Sequence, residues 1–404
     1  MNLNRIYQLI YGVSILFLVA IPGSALVEAK IFLMLFFFVA TAIRLTLSSA
    51  SKRKILHLLF WFCFILIWLL IGLLYNDEDA ALREAAAYLS FLLFVYCFIV
   101  GWQWINQLFL VRVLITAMFC YGAIKFGALL GIVFGFIDPV TFFWWLDEVA
   151  PGVVMSGFWD GGVPRITMAN DYVLPMILLL VLMGYARKEI TGLLFWVSFA
   201  SIFFLIAITL SRYLYLYSGM ILCTFLFLYF LKRRVFRLGV FVLLIALIGA
   251  PVLLVQIGYG DRLASRFGGT DAASSNATKV SQANPIIDMI DSSKLIGQGF
   301  GLSMSSAGRG SKSTFQAELQ WLAITAKIGF AGLAILLSAI LFYTAQLMFF
   351  GKSGKKTKIL LAVTWPFWLM AGFFNPVMLL TTTSVNYLIF YAISKNDQQK
   401  TRYA

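Results

Sequence analysis

Residues 190–231 read ITGLLFWVSFASIFFLIAITLSRYLYLYSGMILCTFLFLYFL, forty-two positions in which Arg212 is the only charged residue. Apolar runs of this length belong in a bilayer, whose hydrocarbon core is about 30 Å thick. As one helix the run would rise about 60 Å, at roughly 1.5 Å per residue, twice what the bilayer accommodates. The chain must therefore turn back on itself, and Ser211-Arg212 is the interruption at which it does so. That places Arg212 at or near a membrane face, because a charge in a spanning helix must snorkel, pair or face a cavity.

The whole composition agrees. A chain of 404 residues has room for two or three soluble domains, but 62% of it is hydrophobic and only 12% charged. Soluble proteins carry about 25% charged residues to cover a water-facing surface. With a mean hydropathy of +0.92, the chain reads as an all-α polytopic membrane protein. Its net charge of +14 would suggest nucleic acid in a soluble protein. Here the charge follows topology, and no nucleic-acid partner is expected. Cys63, Cys97, Cys120 and Cys223 all lie in apolar stretches with no CxxC spacing, so they read as small buried hydrophobes. The single His57 follows Lys52-Arg53-Lys54 in a basic turn, which leaves no His-based metal site and no Ser-His triad. No metal and no cofactor are implied.

Runs of about 20 apolar residues predict twelve spans, near 6–27, 31–48, 55–74, 85–102, 106–136, 168–186, 190–210, 213–231, 236–257, 319–350, 359–373 and 376–394. Lys52-Arg53-Lys54, Arg187-Lys188, Lys232-Arg233-Arg234 and Lys355-Lys356 all fall in alternate loops. By the positive-inside rule those loops are cytoplasmic. Arg5 at one terminus and Lys395, Lys400 and Arg402 at the other fall on the same side, as an even number of spans requires. Five units follow: five spans over 1–136, an external aromatic loop over 137–167, four spans over 168–257, a large external loop over 258–318 between helices 9 and 10, and three spans with a tail over 319–404.

The two external loops are too long to be plain connections. The first holds Phe142-Phe143-Trp144-Trp145 and Phe158-Trp159. Trp144, Trp145 and Trp159 suit either an interfacial aromatic belt or a platform on which sugar rings stack. The second is rich in Gly, Ser and Ala at its middle and carries Arg262, Arg266 and Lys279. Within it, Pro285-Ile286-Ile287-Asp288-Met289-Ile290 predicts a short amphipathic helix, and Gly297-Gln298-Gly299-Phe300-Gly301 a tight turn. No strand precedes that turn, so a nucleotide site there is not expected.

Outer-face cations suit a phosphate-bearing substrate, since the Arg fork matches phosphate oxygens bidentately and never deprotonates. Arg212 reads either as such a group or as an interfacial anchor, and Arg165 has the same two readings. Glu318 opens the apolar run Leu319-Gln320-Trp321-Leu322. It suits the positive end of a helix dipole, or a general base that meets a sugar hydroxyl at the membrane surface.

Several of these segments, in this order and on this side, resemble the O-antigen ligase and O-antigen polymerase superfamily of bacterial polysaccharide assembly. Ile208-Thr209-Leu210-Ser211-Arg212 resembles the family's polar-Arg stretch at a helix start. Lys279 sits where the ligases have a second Arg. Lys294-Leu295-Ile296-Gly297-Gln298-Gly299-Phe300-Gly301 is similar to a recurring G-x-G-x-G segment. Glu318-Leu319-Gln320-Trp321-Leu322, leading to Gly329-Phe330-Ala331-Gly332, resembles the helix opening that ends in G-x-x-G, and Asn375-Pro376 resembles a pair that recurs among polymerases. The resemblance concentrates between Arg165 and Gly332. Two positions depart from the ligases: Glu318 stands where they have His, and Lys279 where they have Arg.

The resemblance implies an inverting, metal-independent membrane glycosyltransferase at the outer face of the bacterial inner membrane. It would polymerise oligosaccharide units carried on a polyprenyl diphosphate into O-antigen, capsule or exopolysaccharide. Arg212, Arg165, Lys279 and Arg262 or Arg266 would meet the diphosphate, and Glu318 the acceptor hydroxyl. The bilayer, a flippase and a chain-length regulator are the partners it implies. Two alternatives stand beside it: a ligase that moves finished glycan to lipid A core or protein, and a flippase or secondary transporter.

Overall fold

The computed structural model describes residues 3–21, 26–46, 52–142, 144, 154–156, 166–230, 270–304, 319–349, 353–373, 375 and 377–395. They form an all-α bundle with one two-stranded ribbon. The helices are α1 (Leu3–Ala20), α2 (Val27–Thr46), α3 (Lys52–Tyr75), α4 (Glu78–Gly101), α5 (Gln107–Val133), α6 (Leu174–Ala186), α7 (Gly192–Ala207), α8 (Arg212–Phe230), α9 (Thr270–Ser292), α10 (Gln320–Met348), α11 (Lys355–Met370) and α12 (Ser384–Lys395). The ribbon pairs β1 (Val154–Ser156) antiparallel with β2 (Thr167–Met168), and a short 3-10 turn over Ala169–Val173 leads from it into α6.

Eight helices among the described residues are long and apolar enough to cross a membrane, and α7, at 16 residues, is shorter. The predicted span at 236–257 lies outside the described residues. The one predicted at 376–394 is shorter than expected. Residues 377–383 run through turns tied by Thr383, whose hydroxyl donates to the Val377 carbonyl at 2.7 Å, and α12 begins only at Ser384. The short helix expected at Pro285 is part of the 23-residue α9, with Pro285 inside it.

Packing follows apolarity. The α6 stretch LPMILLLVLMG is apolar all round and buried along its length, as a helix without a polar face must be. It packs against α5, α7, α8 and α12. By contrast, α3 leaves Leu56, Leu70 and Leu74 exposed, an apolar face that suits lipid. At one end of the bundle cations lie over aromatic rings: Arg44 over Trp104 at 4.9 Å, Lys356 over Tyr229 at 5.2 Å and Lys395 over Tyr391 at 5.7 Å. This basic end lies opposite the end that carries Ile21, Asn76 and Thr209.

Among the described residues, two ion pairs are buried inside the bundle. Lys125 Nζ meets Asp171 Oδ1 at 2.7 Å with both side chains fully buried, and the Tyr121 hydroxyl donates to the same oxygen at 2.8 Å. Lys327 pairs with Glu84. Lys327 is buried within α10 because a carboxylate on α4 neutralises it.

Candidate functional site between the α7–α8 turn and the opening of α10

The turn predicted at Ser211-Arg212 is present. Ile208, Thr209 and Leu210 leave the helix, and Leu210 takes a positive φ of 48°, a left-handed conformation that costs a branched side chain of order 1 kcal/mol or more. Thr209 organises the turn: its hydroxyl donates to the Ile206 carbonyl at 2.7 Å and accepts from the Ser211 amide at 3.2 Å. Arg212 is then the first residue of α8, half-buried. The amides of a first helical turn have no intrahelical acceptors and carry a partial positive charge. A guanidinium at that position makes the turn doubly favourable for an anion.

A rigid strap runs beside this turn. Ile166 to Asp171 are all buried. The Thr167 hydroxyl donates to the Thr209 carbonyl at 2.9 Å. The Asn170 amide donates to the carbonyls of Leu18, Val19 and Ile21 at 3.2, 2.7 and 3.1 Å, filling acceptors that the end of α1 leaves open. Asp171 accepts from the Met168 amide at 2.8 Å through Oδ2, while its Oδ1 holds Lys125. The next ring, Tyr172, stacks on Tyr213 at 5.9 Å. A polar pair, Asn170-Asp171, at the mouth of an apolar span was the available signal for this strap.

The opening of α10 is fixed in a similar way. Leu319 occupies the N-cap position without a side-chain cap. Gln320 Oε1 accepts from the Met378 amide at 2.9 Å, and Trp321 Nε1 donates to the Leu369 carbonyl at 3.0 Å. At the start of α8, the Tyr213 hydroxyl donates to the Phe367 carbonyl at 2.7 Å. Both acceptors belong to the last four carbonyls of α11, which no intrahelical amide can reach. The openings of α8 and α10 are therefore tied to one helical turn.

Below the opening, α10 is broken at Gly329, where φ is 63° and ψ −178°. The segment 294–299 fills the break. The amides of Gln298 and Gly299 donate to the Ala326 and Lys327 carbonyls at 3.0 and 2.8 Å. Those of Phe330 and Ala331 donate to the Lys294 and Leu295 carbonyls at 2.8 and 3.0 Å. Irregular backbone at this depth is tolerated because protein satisfies it. The same loop clasps the α3–α4 hairpin. Trp68 Nε1 donates to the Ile296 carbonyl, Asn76 Nδ2 to the Gln298 and Phe300 carbonyls, and the Gly301 amide to Glu84 Oε2. Gly299 has φ of 81°, and a Cβ there would fall 2.2 Å from the Gly72 nitrogen. The glycines of this turn serve close backbone approach.

The other predicted residues are distributed as follows. Lys279 is half-buried on α9, whose Ile286 and Ile290 pack on Ala323 and Ala326 of α10. Trp144 is exposed. Near it, the Thr141 amide and hydroxyl donate to Asp138 at 2.7 and 2.6 Å, holding that carboxyl below the usual range. Glu318, Arg165, Arg262, Arg266, Trp145 and Trp159 lie outside the described residues. Sequence reading missed Thr167, Asn170, Tyr213 and Glu84, and took Trp321 only as part of the helix-opening motif.

Residues 196–337 match the model of the O-antigen ligase family. The match spans Arg212, Lys279, the Gly297–Gly301 turn and α10 through its break at Gly329 as far as Leu337, consistent with the superfamily that the motifs resemble. No curated protein matches the chain.

Proposed function

We propose that the protein is a membrane-embedded glycosyltransferase that polymerises oligosaccharide units carried on a polyprenyl diphosphate, working at the end of the bundle that holds Thr209 and Leu319. The observation that carries this reading is the tethering of the α8 and α10 openings to one turn of α11, through Tyr213 and Trp321. Arg212 heads the first of these helices. Glu318 directly precedes Leu319, the N-cap of the second, in sequence. Arg165 precedes Thr167 by two residues in sequence, and Thr167 is bonded to the Arg212 turn.

The chemistry divides accordingly. A hydroxyl of the acceptor unit attacks the anomeric carbon of the donor chain, a C–O bond forms, and the bond to diphosphate breaks on the opposite side, inverting the centre. Glu318 orients the hydroxyl and takes its proton. Arg212 and Arg165, with the amides of the α8 opening, compensate the charge that develops on the leaving diphosphate. Lys279 and Arg262 or Arg266 add cationic charge, and Trp144, Trp145 and Trp159 offer faces to the glycan. Compensation of this kind requires no metal. The carboxylate at Glu318, where the ligases have His, favours a polymerase. Purified protein given lipid-linked repeat units alone should lengthen them. Failure to do so in a bilayer, with transport of the same units across it, would establish the transporter reading instead.

A further inference from the structure

A cavity of about 1050 Å³ lies between α3 and α4 on one side and α10 and α12 on the other. It is a long slot. On α4 and the turn after it, its lining runs from Tyr88 to Gln103, and on α10 from Ile324 to Gln346. At roughly 1.5 Å per residue these are about 22 and 33 Å, comparable to the ~30 Å hydrocarbon core and longer than one leaflet. The walls are almost wholly apolar and aromatic. Polar groups gather at one end, where α3 contributes Lys54 and His57, α10 Gln346 and α12 Lys395.

That end is cationic. Lys54 donates to Gln103 Oε1 at 3.5 Å and Lys395 lies over the Tyr391 ring; among the described residues neither lysine forms an ion pair. His57 stacks on Phe342 of α10 at 6.4 Å at this end of the slot, while toward the other end α3 packs directly on α10 through Phe64, Trp68 and Ile328. At the far end the one cation in the lining, Lys327, is neutralised by Glu84. The charge asymmetry selects the orientation of an occupant: anionic head at the basic end, hydrocarbon along the slot. It also sets this site apart from the Arg212 turn, which lies at the opposite end of the bundle.

We propose that this slot is a binding site for one anionic glycerophospholipid, its phosphate held by Lys54, His57 and Lys395 and its acyl chains lying between α3–α4 and α10–α12. A lipid there would fill the apolar slot beside the exposed Leu56 and Phe60 of α3. The site is independent of the proposed glycosyl transfer. Each lysine near an anionic headgroup is worth about a fivefold change in affinity, so removal of both should weaken binding about thirtyfold.

The test is native mass spectrometry of the full-length protein, delipidated in detergent and titrated with phosphatidylglycerol or, separately, phosphatidylcholine. The expected result is one tightly bound phosphatidylglycerol, no comparable phosphatidylcholine, and loss of the bound species in the K54Q/K395Q double variant. Ala339→Trp, which fills the slot and leaves the charges in place, should also lose it, with thermal unfolding checking that both variants fold. Equal binding of the two lipids, retention of phosphatidylglycerol by the double variant, or recovery of a polyprenyl lipid in its place would overturn the proposal.

Discussion

Tyr213 and Trp321 donate hydrogen bonds to carbonyls two residues apart on the last turn of α11, those of Phe367 and Leu369. Positions two apart lie about 200° around a helix, so the two side chains reach α11 from opposing sides. Each bond is worth about 0.5–1.5 kcal/mol net, too little to decide whether the protein folds. Their consequence is positional, since displacement of a reacting group by about 1 Å can cost up to a hundredfold in rate. Tyr213→Phe and Trp321→Phe should therefore keep the unfolding midpoint nearly unchanged and lower polymer formation by roughly ten- to a hundredfold. Wild-type turnover in both variants would show that the tethers do not position the site.

The glycine clasp predicts a sharp contrast among Gly→Ala variants. A Cβ at Gly299 meets the Gly72 backbone, and one at Gly72 falls 2.3 Å from the Phe300 carbonyl oxygen, whereas Gly127 and Gly219 face open space. Backbone on both sides cannot yield as a flexible side chain would. Gly299→Ala and Gly72→Ala should reduce folded yield and unfolding temperature, while Gly127→Ala and Gly219→Ala should cost no more than a few tenths of a kcal/mol, as alanine is the better helix former. Size-exclusion profiles and thermal unfolding in detergent would show the difference.

Glu84 joins three parts of the chain: α4, the Lys327 ammonium and the Gly301 amide. Removing one partner of a buried pair strands the other charge at a cost of about 3–5 kcal/mol, while removing both is far milder. Glu84→Ala and Lys327→Met should each destabilise strongly, and Glu84→Met with Lys327→Met should recover much of the loss. A double variant no more stable than either single one would mean that the pair contributes through something other than charge neutralisation.

Asn170 supplies donors to three carbonyls at the end of α1 while its neighbour Asp171 anchors Lys125. Asn170→Ala leaves those carbonyls unsatisfied at about 1–3 kcal/mol. It should also loosen the strap that Thr167 ties to the Arg212 turn. Loss of activity exceeding the loss of stability is the expected outcome, read from turnover below the unfolding range.

The α7–α8 hairpin was legible because length alone forces a 42-residue apolar run to fold back, and Arg212 marked where. The burial of α6 was legible in an apolar run with no polar face. What could not be read depends on distant partners. Trp68, Asn76 and Glu84 lie more than two hundred residues from the glycine turn they hold, and spacing within Gly297–Gly301 does not name them. The pairing that permits the burial of Lys327 could not be read either, since its carboxylate is 243 residues away. The last span was overestimated because Val377 to Thr383 are apolar enough to read as helix, yet Thr383 and Ser384 turn their hydroxyls onto nearby carbonyls, a local competition that favours turns over helix.

Arg212 and Glu318 are proposed to serve one glycosyl transfer. The most direct measurement is polymer length made by purified protein in a bilayer from lipid-linked repeat units, for the wild type, Arg212→Ala and Glu318→Gln at matched folded amounts. Long chains are expected from the wild type and unextended single units from both variants. Full-length polymer from either variant would contradict that proposal.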